Sequence, residues 1–145
     1  MKIVVDTNII FSALANSNGT LLDIIIGSSK KYHFYTSEYL RDELQKHHEK
    51  LKKISKLTDK EIEIAQYKLF KYISFITLEI IPEKYWIKAE KIVCDIDPDD
   101  IAFVALSLYL DAYLWTGDKV LYRGLKNKGF GKIVLTTELK SLVEN

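Results

Sequence analysis

Short apolar runs recur along this chain with helical patterning in the gaps between them, and that alternation restricts the fold more than any other feature. Ile3-Val4-Val5 is β-branched throughout and does not alternate with polar residues, as expected of a strand buried on both faces of a parallel sheet. Further runs read as strands at 33–36, 75–81, 112–116 and 133–136. Asp6-Thr7-Asn8 closes the first run, and Ile9, Ile10, Ala13 and Leu14 follow at helical spacing. A break at Asn16-Ser17-Asn18-Gly19 precedes a second short helix that ends near Gly27. Ser37 reads as the N-cap of a helix over 38–54. Thr58 and Glu61 form a capping-box pattern that opens a helix to about residue 73. Helices are also expected over 83–93, 101–110, 119–125 and 137–143, the 101–110 helix with Asp97 as cap and Pro98 at its first position. Strands that alternate with helices need crossover connections. The expected class is therefore α/β, a three-layer arrangement with a mostly parallel central sheet and helices on both faces.

The length, 145 residues, suits a single domain spanning 1–145, and no linker or repeat divides it. Cys94 is the sole cysteine, which excludes an internal disulfide and a multi-cysteine zinc site. It reads as a small buried apolar residue in a reducing, cytoplasmic compartment. No apolar stretch approaches the roughly 18 residues a membrane helix needs, and no leader pattern is visible, so a soluble protein without a membrane partner is expected. The net charge of +1 means that any nucleic-acid surface must be local.

Two of the apolar runs end in acid: Val4-Val5-Asp6 and Leu114-Trp115-Thr116-Gly117-Asp118. In open parallel sheets, ligands bind beyond the carboxyl ends of the strands, where strand order reverses. If the two strands are neighbours, both carboxylates share that edge. Asp97, Asp99 and Asp100 begin the apolar helix just before the second strand, so its first turn should lie near the same edge. Clustered carboxylates repel one another, and a divalent cation is the usual compensation. Oxygen ligands without cysteine or histidine select Mg²⁺ or Mn²⁺, ions that activate water and neutralise phosphate charge in an in-line displacement. Each acid also has a plainer explanation. Asp6 and Asp97 fit helix caps, Asp99 and Asp100 suit the dipole of a first helical turn, Asp118 fits a turn, and Glu43 fits a solvated helix face.

Taken together, these segments resemble a known family. Val4-Val5-Asp6-Thr7-Asn8-Ile9-Ile10 is similar to the first motif of PIN-domain nucleases. Ser37-Glu38-Tyr39-Leu40-Arg41-Asp42-Glu43-Leu44 is similar to the second, Asp97-Pro98-Asp99-Asp100-Ile101-Ala102-Phe103-Val104-Ala105-Leu106 to the third, and Thr116-Gly117-Asp118-Lys119 to the fourth. The resemblance covers residues 3 to about 136 and extends in particular to the VapC-type toxins of prokaryotic toxin–antitoxin pairs. It implies a PIN-like fold and hydrolysis of RNA phosphodiester bonds. It further implies one or two Mg²⁺ or Mn²⁺ ions held by Asp6, Glu43, Asp100 and Asp118, with Asp97 as an auxiliary acid and Asn8 and Thr116 orienting the ligands. Which of Asp97, Asp99 and Asp100 coordinates directly stays open. The implied partners are an RNA substrate and a protein antitoxin.

Two lysine-rich segments offer phosphate contacts. Lys46, Lys50, Lys52, Lys53 and Lys56 form the first. Lys119, Arg123, Lys126, Lys128 and Lys132 form the second, which begins beside the proposed acids, so Lys119, Arg123 and Lys126 are the preferred RNA-binding residues. His47 and His48 point in different directions on a helix and read as surface residues. Tyr39, Tyr67, Tyr72, Tyr109, Tyr113 and Tyr122 are among nine tyrosines; exposed ones can stack on single-stranded bases, although most tyrosines pack. Leu57, Ile62, Ile64, Leu69, Phe70 and Ile73 are a homodimer surface, an antitoxin groove or simply more core; periodicity does not separate these.

Other acid-based α/β folds fit less well. A haloacid-dehalogenase-type phosphatase needs a second aspartate where Asn8 stands, and a phosphoacceptor receiver domain needs paired early acids and a central strand-end aspartate. The alternatives that stay open are a catalytically inactive PIN-like scaffold that binds RNA or protein, and an RNA-processing nuclease without a toxin role.

Overall fold

The computed structural model describes residues 1–16 and 19–144; Ser17 and Asn18, in the expected break, lie outside the described residues. Strands β1 (Lys2–Val5), β2 (His33–Ser37), β3 (Ile73–Ile76), β4 (Tyr113–Trp115) and β5 (Ile133–Val134) form one sheet in the order β3-β2-β1-β4-β5. Every neighbouring pair is parallel, so the expected mostly parallel sheet is in fact wholly parallel.

Side chains along each strand alternate between two cores, as the pleat requires. Ile3, Val5, Phe34, Trp115 and Val134 face one side. There they meet helices α1 (Thr7–Ala15), α2 (Thr20–Gly27), α3 (Leu40–Lys46), α4 (His48–Ser55), α5 (Asp59–Phe70) and α9 (Thr136–Glu144). Val4, Leu114 and Ile133 face the other side, against α6 (Glu83–Val93), α7 (Ile101–Leu110) and α8 (Lys119–Asn127). Both faces are therefore covered, which is why the central strands β1 and β4 read as apolar runs without alternation. Among the described residues, no single helix is long and apolar enough to cross a membrane.

Several expected boundaries move for physical reasons. The helix read over 38–54 is two helices. β2 continues through Ser37, whose hydroxyl accepts the Tyr39 N–H in a tight turn instead of capping a helix. A further break at His47, whose backbone leaves helical geometry (φ −106°, ψ 17°), lets Leu44 of α3 and Leu51 of α4 both reach the same core. The strand read over 75–81 starts at Ile73 and stops at Ile76, because its partner β2 ends at Ser37. Glu38 then closes the edge: its N–H bonds the Ile76 carbonyl and its carboxylate accepts from the Leu78 N–H, which opens a 3-10 turn at Leu78–Ile80. The capping box at Thr58 forms as expected, with Glu61 N–H to the Thr58 hydroxyl and Thr58 N–H to the Glu61 carboxylate. Cys94, expected to be buried, is exposed at the C-terminal end of α6, because Ala89 and Val93 occupy the inward stripe of that helix.

Ile62, Leu69 and Ile73 are core, and Leu57 and Phe70 pack against it; Ile64, at 46% exposure, stays outside. Most of that apolar surplus is therefore more core.

The topology places the site. From β1 the chain steps to β2 and β3 in one direction; β4 then returns to the other side of β1, and β5 lies beyond it. Strand order thus reverses between β1 and β4, where Val5 pairs with Trp115. The crevice at that reversal opens between the very strands that end in Asp6 and Asp118.

Candidate metal centre

Asp6 leaves β1 and caps α1. Its Oδ1 accepts the Ile9 N–H at 2.9 Å, and its Oδ2 accepts the Thr116 hydroxyl at 2.7 Å. The carboxyl is only 4% exposed. Burial pushes its pKa above the ordinary range and the charge of Asp118 adds to this; the Thr116 hydroxyl and the N–H groups of Ile9 and Asn8 pull in the opposite direction. Asp6 is thus both cap and member of an acidic group, and its two sequence-level explanations are compatible.

Thr116, fully buried, ties two strands' ends together. Its oxygen donates to Asp6 and accepts the Asp118 N–H at 3.1 Å. Asp118 caps α8 with one oxygen, Oδ1, which accepts from the Val120 and Leu121 N–H groups at 2.9 and 3.1 Å. Asp97 caps the 3-10 turn Pro98–Asp100 that runs into α7, through the Asp99 N–H at 3.0 Å.

These caps bring three carboxylates together. Asp97, Asp100 and Asp118 each place an oxygen within 4.8 Å of the others, all three half-buried. Burial first, then the charges of Asp97, Asp6 and Asp118 and a hydrogen bond to Asp97, push the Asp100 carboxyl up to about 7. A cleft of about 490 Å³ opens beside the cluster, lined by Asp6, Asn8, Tyr39, Glu43, Asp99 and Asp100 among others.

The sequence-nominated acids are therefore not equivalent. Asp100 belongs to both the tight cluster and the cleft. Asp118 completes the cluster, and Asp97, nominated as auxiliary, stands within it as a full member. Asp6 is coupled to Asp100 by charge from the buried end. Glu43 lines the cleft from α3, with its carboxylate 3.8 Å from the Lys46 ammonium. Asp99 is exposed on the cleft wall. Asn8 also lines the cleft, and it meets Asp6 through its backbone N–H.

The basic residues divide. Lys119 and Arg123 are exposed in the first turns of α8, the helix that Asp118 caps. Lys126 lies in its last turn, where the ammonium reaches the Gly131 carbonyl at 3.4 Å and sits over the Tyr122 ring. Lys128 and Lys132 are occupied by Asp95 and Asp111. In the first lysine segment, Lys52 and His48 both hold Asp59, and Lys50 lies over the Phe11 ring. His47, at the break between α3 and α4, is exposed as expected, whereas His48, which opens α4, is half-buried against Asp59.

Leu78, Ala102 and Phe103 supply an apolar wall to the cleft; Ala102 and Phe103 lie within the third motif, but the sequence reading gave none of the three a role in the site. Phe103 lies three residues after Asp100 on one helix face, a spacing that could have marked it. Tyr39, 50% exposed at the cleft, is the tyrosine best placed to meet a substrate.

A family model described as PIN domain matches residues 4–138. The chain belongs to the PIN domain family. The match spans all four acidic segments of this PIN domain, from Asp6 to Asp118. Among solved structures, its fold matches a chain of VapBC2 from Rickettsia felis, crystallised bound to a DNA fragment from their promoter. The TM-score is 0.63 at 17% identity, covering 93% of this chain and 97% of that chain. No curated protein matches the sequence.

Proposed function

We propose that this PIN domain is a metal-dependent endoribonuclease, the toxin of a toxin–antitoxin pair. The observation that carries the reading is the meeting of Asp97, Asp100 and Asp118 within 4.8 Å, beside buried Asp6, at the strand-order reversal of a parallel sheet. The donor set fits a hard divalent cation. It is all carboxylate, it holds no sulfur or imidazole, and its charges are unfavourable together without compensation: burial first, and then the neighbouring acids, raise the Asp100 carboxyl. Asp100 and Asp118 would hold the ion with Asp97, and Asp6 and Glu43 would complete the ligand set from the two sides of the cleft. Mg²⁺ or Mn²⁺, one or two ions, would supply water activation and neutralisation of phosphate charge there.

The chain's own residues do the rest. Thr116 holds the Asp6 carboxylate, and Asn8 stands beside it at the cleft. Lys119 and Arg123 attract backbone phosphates toward the α8 end of the site, with Lys126 further along the same helix. Tyr39 offers a face on which an unpaired base can stack, so the preferred substrate is single-stranded RNA. The shared fold with a chain of a VapBC2 complex supports a protein antitoxin as partner.

The test is cleavage of labelled single-stranded RNA with Mn²⁺, with and without EDTA, by wild type, Asp6→Asn and Asp100→Asn. Cleavage that EDTA and both substitutions abolish supports the reading. A wild type that neither cleaves nor binds Mn²⁺ by calorimetry points to a PIN-like scaffold. A small antitoxin gene directly upstream supports the toxin role, and its absence favours an RNA-processing enzyme.

A further inference from the structure

The three clustered acids ride on two separate pieces of chain. Asp118 is fixed to the start of α8, whereas Asp97 and Asp100 belong to the segment between α6 and α7. Their spacing depends on how α8 seats against that segment, and two contacts define the seat. Gly124, in the middle of α8, faces Ile96, the residue just before Asp97. A Cβ at position 124 would lie 2.6 Å from Ile96 Cδ1, 3.0 Å from Cγ1 and 3.3 Å from Cγ2. Glycine is a poor residue for a helix interior, and its φ freedom is not needed here, since Gly124 is helical. The missing side chain is what the close approach requires. One turn on, the Lys128 ammonium donates to the Ile92 carbonyl in the last turn of α6 at 2.8 Å, and to the Asp95 carboxylate.

We infer that Gly124 and Lys128 are positioning residues for the acidic cluster: they clamp the 92–97 segment against α8 and so set the distance of Asp97 and Asp100 from Asp118. The inference rests on the metal-site reading. Gly124 determines how close the segment comes, because any side chain there crowds the Ile96 side chain at Cδ1, Cγ1 and Cγ2 together, and the strain is passed to the backbone that carries Asp97 to the extent that Ile96 cannot turn aside. Lys128 prevents the segment from swinging away, by closing a helix-end carbonyl and an acid together. Neither residue touches the cluster itself.

The experiment measures Mn²⁺ affinity by calorimetry alongside thermal unfolding of the metal-free protein. Groups that orient metal ligands change affinity by roughly 10–100-fold when altered. Gly124→Ala should weaken Mn²⁺ binding by about tenfold or more, without a parallel fall in Tm, because alanine favours the helix. Ile96→Ala in that background removes the three atoms that clash, and should recover most of the lost affinity, a coupling that independent sites would not show. Lys128→Met should weaken binding and Lys128→Arg should largely preserve it, which keeps the test open if Gly124→Ala folds poorly. Unchanged Mn²⁺ affinity in both Gly124→Ala and Lys128→Met overturns the inference while leaving the metal site intact. A wild type that binds no Mn²⁺ overturns the metal-site reading and this inference with it.

Discussion

The Thr116 hydroxyl donates to Asp6 across the junction of β4 and β1, at 2.7 Å, with both residues buried. The bond joins the two strand ends at the point where strand order reverses, and it favours the ionised form of a carboxyl whose pKa burial raises. Thr116→Val keeps the shape and removes both the donor to Asp6 and the acceptor of the Asp118 N–H. It should cost about 1–3 kcal/mol, the penalty for a buried acceptor stripped of its partner. Because the hydroxyl lowers the Asp6 pKa, its loss raises that pKa further, and the penalty falls on the ionised form. The destabilisation should therefore be greater at pH 8 than at pH 5, and Thr116→Ser should restore it. Urea unfolding at the two pH values reads both; an equal loss at each would separate Thr116 from the ionisation of Asp6.

Asp100 makes a second pH prediction. Its carboxyl is raised from an ordinary 3.8 to about 7, so the metal-free fold favours the protonated form. A raised folded-state pKa contributes stability that is fully present below 3.8 and lost as pH climbs through 7. Asp100→Asn removes that slope. The metal-free variant should match wild type near pH 4 and exceed it at pH 8 by about 1–2 kcal/mol, a figure reduced for the solvent that reaches a half-buried group. That corresponds to roughly 2–8 °C in Tm for a chain of this size. Added Mn²⁺ should reverse the ranking at pH 8, since wild type alone gains from a ligand that competes with the proton. Thermal scans across pH, with and without Mn²⁺, decide it; a variant less stable than wild type at pH 8 without metal would contradict the cost that burial and neighbouring charge place on ionising Asp100.

What the sequence makes legible here, and what it hides, follows from the range of the interactions involved. Asp6 and Asp118 are visible because each ends an apolar run, and a parallel sheet sends every such end to one edge. The capping box at Thr58–Glu61 and the helix start at Asp97-Pro98 are equally local, and they form as read. Asp97 is harder to assign, since the same residue pattern serves a cap and a ligand. Its entry into the cluster depends on the seat of Ile96 against Gly124, a contact made across 28 positions of chain and invisible to local pattern. The end of β3 at Ile76 and the break at His47 have the same origin. One is set by where the partner strand stops, the other by the need of Leu44 and Leu51 to reach a common core.

Tyr39 gives a prediction about substrate rather than metal. Its ring is half exposed at the cleft mouth, two residues after the end of β2 and four before Glu43. Stacking of a base on such a ring is worth about 1–3 kcal/mol, or roughly 5- to 150-fold in affinity. Tyr39→Ala should weaken binding of a labelled single-stranded oligoribonucleotide by that margin, and Tyr39→Phe should not. Mn²⁺ affinity should be unchanged in both. Fluorescence anisotropy without metal isolates the effect, and equal binding by Tyr39→Ala and wild type would remove Tyr39 from the RNA surface.

Asp118 carries two roles that substitution can separate. Its Oδ1 caps α8 through Val120 and Leu121, while the carboxylate as a whole contributes charge to the cluster. Asparagine caps a helix as well as aspartate does, whereas alanine does not. Asp118→Asn should therefore keep the metal-free Tm within about 2 °C of wild type or raise it, because one repulsive charge is gone and the cap survives. Asp118→Ala should lose about 1 kcal/mol for the missing cap. Both variants should lose Mn²⁺ affinity to a similar extent, since each lacks the negative oxygen that a hard cation requires. Parallel losses of stability and metal binding in Asp118→Asn would mean that the carboxylate acts only through the fold of α8. Loss of metal binding with stability intact would assign it to the ion directly.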